Sequence, residues 1–189
     1  MRRKSFATSA LACLVVVSPS ARAADHVRIG ATTTLGNAGF FNDTSVAAWS
    51  PGADLRISAP LASWTSVGVS VGYQHVVRDQ QYATDYTAPR DVGHIWLEWS
   101  VYAQLPSSHL ELGVRPALGL AHAFTTELSG GPAVALYGTA TYWGTSWLGG
   151  TLELGGSMSI FSTTDNSGDG AKPEGLGILS AKVGLIARF

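Results

Sequence analysis

Histidine is the side chain best suited to general-base work near neutral pH, so the five histidines are the first residues to ask for chemistry. His75, His94 and His122 lie toward the ends of three apolar runs. His75 and His122 share the parity of the apolar residues, whereas His94 has the other. Imidazoles split in this way do not converge on one face. No His-x-Ser pair accompanies them to supply the hydroxyl that ester hydrolysis needs, and Ser107-Ser108-His109 sits in a short turn. A second candidate, Asp165-Asn166-Ser167-Gly168-Asp169-Gly170, places oxygen ligands at alternate positions before a glycine, as in the first half of a calcium loop. The twelfth position, where a bidentate Glu belongs, is Leu176, with Glu174 nearby. A solvated turn explains that composition better. Gly149-Gly150 and Gly155-Gly156 read as bends in a strand rather than phosphate cradles. The chain has no P-loop, dinucleotide fingerprint or nucleophile elbow. The expectation is a chain without catalytic residues, bound metal or cofactor.

The remaining ionisable residues share a different property. Asp54, Arg56, Glu98, Glu111, Arg115, Glu153 and Lys182 each alternate with apolar neighbours, so they occupy the second face of a period-2 pattern. Charges are otherwise scarce: 13% of the 189 residues, against 46% apolar and 22 glycines. With 12 Lys+Arg against 13 Asp+Glu there is no basic excess for nucleic acid, and one cysteine excludes a disulfide scaffold.

The first 23 residues read as a secretory leader. Arg2, Arg3 and Lys4 form its cationic start, residues 10–17 its apolar centre, and Ala21-Arg22-Ala23 a small-residue cleavage site. Eight apolar residues cannot span a bilayer, which takes roughly 20 as helix. A lipoprotein reading through Cys13 would cut the apolar centre in half and put Ala10 where that motif favours Leu. Cleavage after Ala23 leaves residues 24–189, a single cysteine-free domain that fits an oxidising compartment. It also removes four of the basic residues, leaving eight against 13 acidic ones.

The elements that must position the inward charges are strands. Residues 110–124 set Leu110, Leu112, Val114, Leu118, Leu120 and Phe124 against Glu111, Gly113, Arg115, Ala117, Gly119 and Ala121. Runs at 65–77, 92–105 and 148–161 alternate as clearly, and weaker ones lie at 27–35, 53–59, 132–143 and 176–189. The result is eight strands. Connections alternate long and short: 36–52, Pro60–Trp64, 78–91, Pro106–His109, Thr125–Gly131, Gly144–Trp147 and Ser162–Gly175. That layout predicts an all-β, eight-stranded, antiparallel up-and-down transmembrane β-barrel. Trp64, Trp147 and Phe189 are expected in an aromatic girdle at the short-turn side, and Tyr73, Phe124 and Phe161 in one at the other. Alternation alone also fits a soluble barrel with its apolar face inward. The second face decides between them: it is Gly, Ser, Ala and Thr with isolated charges, suited to a narrow packed lumen rather than a wetted surface. Arg56, Glu98, Glu111, Arg115, Glu153 and Lys182 are then expected to form a lumen charge network, because a buried charge without a partner costs several kcal/mol.

The chain ends Lys182-Val183-Gly184-Leu185-Ile186-Ala187-Arg188-Phe189. This resembles the C-terminal assembly signal of bacterial outer-membrane barrels through Lys182, Gly184 and Phe189, with Ala187 departing from the usual bulky residue. Residues 24–189 as a whole are similar in layout to the small outer-membrane barrels of the OmpA transmembrane-domain and OmpX type. The resemblance implies insertion into a Gram-negative outer membrane by the barrel assembly machinery. The partners expected are outer-membrane lipid, lipopolysaccharide and an extracellular ligand held by the loops, Gly36–Gly52 with Phe40, Phe41 and Trp49, and Val77–Asp91 with Tyr82 and Tyr86. A structural or surface-interaction role follows. Its rivals are a lipid A-modifying enzyme of the kind that carries His and Ser near the outer leaflet, a small pore, and a soluble binding barrel.

Overall fold

A computed structural model of the protein describes residues 26–40, 48–77, 91–106, 108–124, 128–163 and 173–189. Eight long strands make up almost all of it: β1 (Arg28–Phe40), β2 (Ala48–Ala62), β3 (Thr65–His75), β4 (Asp91–Gln104), β5 (Leu110–Ala123), β6 (Gly131–Trp143), β7 (Leu148–Thr163) and β8 (Pro173–Arg188). Each pairs antiparallel with the next. β1 also pairs with β8 from Arg28↔Arg188 to Phe40↔Leu176, so the sheet closes into a barrel with no free edge. A two-residue strand, Leu128–Ser129, adds to the end of β7 opposite Thr163 and Ser162. No helix occurs among the described residues.

Several strands run further than their apolar alternation suggests. Residues 36–40 and 48–52, read from the sequence as parts of one long loop, belong to β1 and β2, where Gly36 faces Ser50 and Asn37 faces Trp49. A hydrogen-bond ladder does not need apolar side chains, so glycine, alanine and asparagine continue it unmarked. β2 likewise passes through Pro60 to Ala62, with a bulge that absorbs the proline near the turn. At Val77 an isolated bridge to Trp49 prolongs the β2–β3 pairing, and Asp91 is already in β4. The segments between, including Phe41, Tyr82, Tyr86 and Asp165–Gly170, lie outside the described residues, as do the leader residues 1–23.

The bulky apolar residues face outward all round the barrel: Leu55 and Ile57 on β2, Ile95 and Leu97 on β4, Leu118 and Leu120 on β5, Leu152 and Leu154 on β7, Val183 and Leu185 on β8. Leu118, in the middle of its strand, is 65% exposed. Trp64, Tyr142, Trp147 and Phe189 project outward at the short-turn end, and Trp49, Tyr73 and Phe124 at the opposite rim. Phe161 does not join that rim. Ile160 takes the outward position, so Phe161 turns into the lumen, where it is 1% exposed.

The core is therefore the lumen, and it has two halves. Toward the long connections it is mainly apolar, with Trp96, Phe161, Val92, Leu176 and Ile178 packed among alanines from β1, β5 and β6 and a few buried polar residues such as Ser50 and Gln74. Toward the short turns it is polar and charged. A narrow barrel can hold large inward side chains only if a neighbouring strand gives them room. Tyr137 of β6 lies over Gly155 of β7, where an added Cβ would sit 2.8 Å from the ring.

Candidate functional site in the barrel lumen

The charges of the lumen are stacked in layers along the axis. At the short-turn end Arg28 of β1 reaches across to Glu111 of β5 in a two-pronged contact, Nη1 to Oε1 at 2.6 Å and Nη2 to Oε2 at 3.1 Å. That geometry suits a planar guanidinium. The Arg28 guanidinium also lies 4.1 Å above the ring of Tyr102, and Arg188 lies 4.2 Å from that of Trp143. The next layer is a bridge spanning the barrel. Arg115 of β5 divides its guanidinium between Glu98 of β4 and Glu153 of β7, and Glu153 also receives Arg56 Nη1 of β2 at 2.7 Å. Ser70 donates to Glu98 Oε1 at 2.5 Å.

Above the bridge, Asp54 of β2 is the common acceptor of three strands. Lys182 Nζ and Thr34 Oγ1 meet its Oδ2 at 2.8 and 3.1 Å, and His94 Nε2 lies 2.7 Å from Oδ1. Tyr137 separates the two layers, its ring 4.7 Å from Arg115 and 4.5 Å from Lys182. His94 can reach Asp54 because the residue between them on β3 is Gly72; a Cβ there would collide with both side chains.

Sequence parity thus put Arg56, Glu98, Glu111, Arg115, Glu153 and Lys182 on one face, and the closed barrel gathers all six in the lumen. Two participants were missed. Arg28 carries a usable signal, since it shares the parity of Thr32 and Thr34. His94 was assigned the inward parity, but its partner lies two strands away and only the register reveals it. Among the described residues the network holds four fixed cations, Arg28, Arg56, Arg115 and Lys182, and four carboxylates, Asp54, Glu98, Glu111 and Glu153. Those eight charges balance, and Arg188 beside Trp143 adds one positive charge at the short-turn end.

The other histidines are on the outside. His75 and His122 are exposed near the long-connection rim, as their parity requires. His75 Nδ1 lies 2.7 Å from Asp91 Oδ1, and the Tyr73 hydroxyl donates to the same oxygen. Among the described residues His75 has no serine or threonine hydroxyl within hydrogen-bonding distance. His122 stacks edge-on against Phe124, ring centres 5.5 Å apart.

Of the terminal residues, Lys182 is buried against Asp54, and Gly184 passes so close to β1 that a Cβ would lie 2.6 Å from Thr32 Cα. Phe189 is exposed, its N–H bonded to the Val27 carbonyl at 2.9 Å.

No protein-family model and no curated protein sequence matches the chain. Solved structures do match in fold. The outer membrane protein OprG from Pseudomonas aeruginosa superposes with a TM-score of 0.55 over 91% of this chain and 99% of its own, at 10% identity. Neisserial surface protein A gives 0.51 over 86% and 97%, at 16% identity. Strand count, closure and these likenesses agree: the chain has the fold of the small eight-stranded outer-membrane β-barrel proteins.

Proposed function

We propose that this protein resides in the outer membrane of a Gram-negative cell, exported through the periplasm, and acts there as a structural or surface-interaction protein without catalysis. The observation that carries the reading is the pairing of an unbroken apolar exterior with a lumen filled by ion pairs. Such an exterior belongs in hydrocarbon, where only closed barrels and helices satisfy their backbone. A lumen so filled argues against a conduit and supports the exterior and the long connections as the working surfaces. The aromatic rims would lie at the level of lipid and lipopolysaccharide headgroups. Lys182, Gly184 and Phe189 would be read by the assembly machinery before closure, since Lys182 is committed to Asp54 afterwards.

The test is a carbonate wash of outer membranes followed by detergent electrophoresis of the retained protein, unheated and boiled. Retention with a shift in apparent mass on boiling is expected. Release into the wash without a shift would overturn the reading and point to a soluble barrel.

One observation favours a second reading, a lipid-modifying enzyme. Among the described residues the His75–Asp91 pair leaves imidazole Nε2 without a protein partner, on the outer wall at the rim, an arrangement a general base could use. Mass spectrometry of lipid A from cells with and without the protein decides: unchanged acylation removes this reading.

A further inference from the structure

At the long-connection end one stretch of the outer wall departs from the aliphatic pattern of the rest. On β3, β4 and β5 the outward rows run through Val71, Ile95, Leu97, Leu118 and Leu120, then give way to Tyr73, His75, Asp91, His122 and Phe124. The register brings these five together. Tyr73, Gly93 and His122 stand side by side on the three strands, and His75 faces Asp91 one step further along. Gly93 leaves the middle without a side chain, and Phe124 folds over it: a Cβ there would lie 3.0 Å from its ring. Phe124 thereby joins the other two rings, its centre 6.4 Å from that of Tyr73 and 5.5 Å from that of His122. All three rings are exposed.

Hydrogen bonds beside this strip have a fixed direction. A carboxylate only accepts, so the Tyr73 hydroxyl and His75 Nδ1 both donate to Asp91 Oδ1. The neutral imidazole then carries its proton on Nδ1. Nε2 and the phenol oxygen are left as two acceptors at the edge of the rings.

The patch is also one-sided. Among the described residues, outward aromatic side chains at this end are Trp49, Tyr73 and Phe124, on β2, β3 and the end of β5, whereas β7, β8 and β1 present Ile160, Gly177 and Gly39. An anchoring belt has no preferred side, and the short-turn end spreads Trp64, Tyr142, Trp147 and Phe189 over both halves of the barrel. A binding site does have one.

Its chemistry narrows the ligand. Exposed ring faces are electron-rich and receive C–H groups, the two acceptors call for hydroxyl donors, and the aliphatic wall beneath calls for a hydrocarbon chain. A quaternary ammonium head would also sit over the rings, but it brings no donor. We propose that this patch binds a glycolipid: a sugar ring lies on Phe124 and its neighbours, a hydroxyl reaches His75 Nε2, and acyl chains run down the wall of β3–β5. The proposal deepens the outer-membrane reading and rests on an exterior that faces lipid.

Nuclear magnetic resonance of the protein in dodecylphosphocholine micelles, ¹³C-labelled at tyrosine, phenylalanine and leucine and titrated with octyl glucoside, tests it. Tyr73, Phe124, Tyr142 and Leu118 signals are identified by their loss in single substitutions. Expected are contacts from sugar-ring protons to Tyr73 and Phe124 and none to Tyr142, an equally outward ring at the opposite end. His75→Ala, its folding verified by the gel shift on boiling, should weaken the titration by about threefold to tenfold, the loss of one hydrogen bond. No sugar contact, or an unchanged titration in His75→Ala, would overturn the proposal. Equal contacts at Tyr142 would overturn it as general interfacial affinity. Methyl glucoside binding as tightly would assign the patch to soluble sugars, and equal contacts from lysophosphatidylethanolamine would assign it to ammonium heads; either result overturns the glycolipid. Contacts from micelle chains to the Leu118 methyls report the lipid-facing exterior separately. With those contacts present, a failed sugar test sinks this proposal alone, and their absence sinks the membrane reading itself.

Discussion

Arg115 holds two carboxylates on different strands with one guanidinium, so its loss is felt on both sides of the lumen. Glu153 keeps Arg56, but among the described residues Glu98 keeps only the Ser70 hydroxyl. Arg115→Ala is expected to cost about 3–5 kcal/mol, the range for breaking a buried pair, measured as a lower urea midpoint of the barrel in lipid vesicles. Adding Glu98→Gln should recover part of that loss, because the uncompensated charge is then gone. Gly72 makes a different kind of contribution, by what it lacks. Gly72→Val drives a side chain between Asp54 and His94 and should cost about 1–3 kcal/mol as overpacking. Gly39→Val, where nothing lies near a new Cβ, should change the same midpoint by less than about 0.5 kcal/mol. At this scale the sequence reveals which charges face inward, because parity is a local property. Partners are not legible: His94 and Asp54 meet only through the register of three strands with a glycine in the middle one.

Strands carry the division between lipid-compatible and packed faces, and β5 does so most plainly, with Leu112, Leu118 and Leu120 outward and Glu111, Arg115 and Ala117 inward. Leu118→Arg places a charge at mid-strand on the exterior. It is expected to destabilise the barrel in lipid by about 2–4 kcal/mol, again by urea titration. A near-zero effect in vesicles would mean that this face does not contact hydrocarbon. Eight strands and their two faces were readable because bulky and small residues alternate. Strand ends were not, since residues 36–40 and 48–52 pair through backbone groups alone and leave no mark in side-chain pattern. Phe161 was misplaced for a related reason: an aromatic near a strand end suggests a rim, yet its parity beside Ile160 sends it inside.

Across the whole molecule, the balanced ion pairs and the apolar half of the lumen act in series as a plug. Purified protein in a planar bilayer should therefore give no discrete single-channel steps; reproducible steps would favour a pore. Neither the closure nor the plug is visible in any single segment, because both come from all eight strands at once. The hydrogen bond from Phe189 to Val27 has a consequence for how the chain could be ordered. It makes the two ends of the barrel sequence neighbours in the same ladder, so the ring carries no seam. What the fold preserves is a cyclic succession of strands. The linear order is one of several cuts through that circle: the finished fold would tolerate an opening at a short turn such as Gly144–Trp147, while assembly through Lys182, Gly184 and Phe189 would favour the one the chain uses.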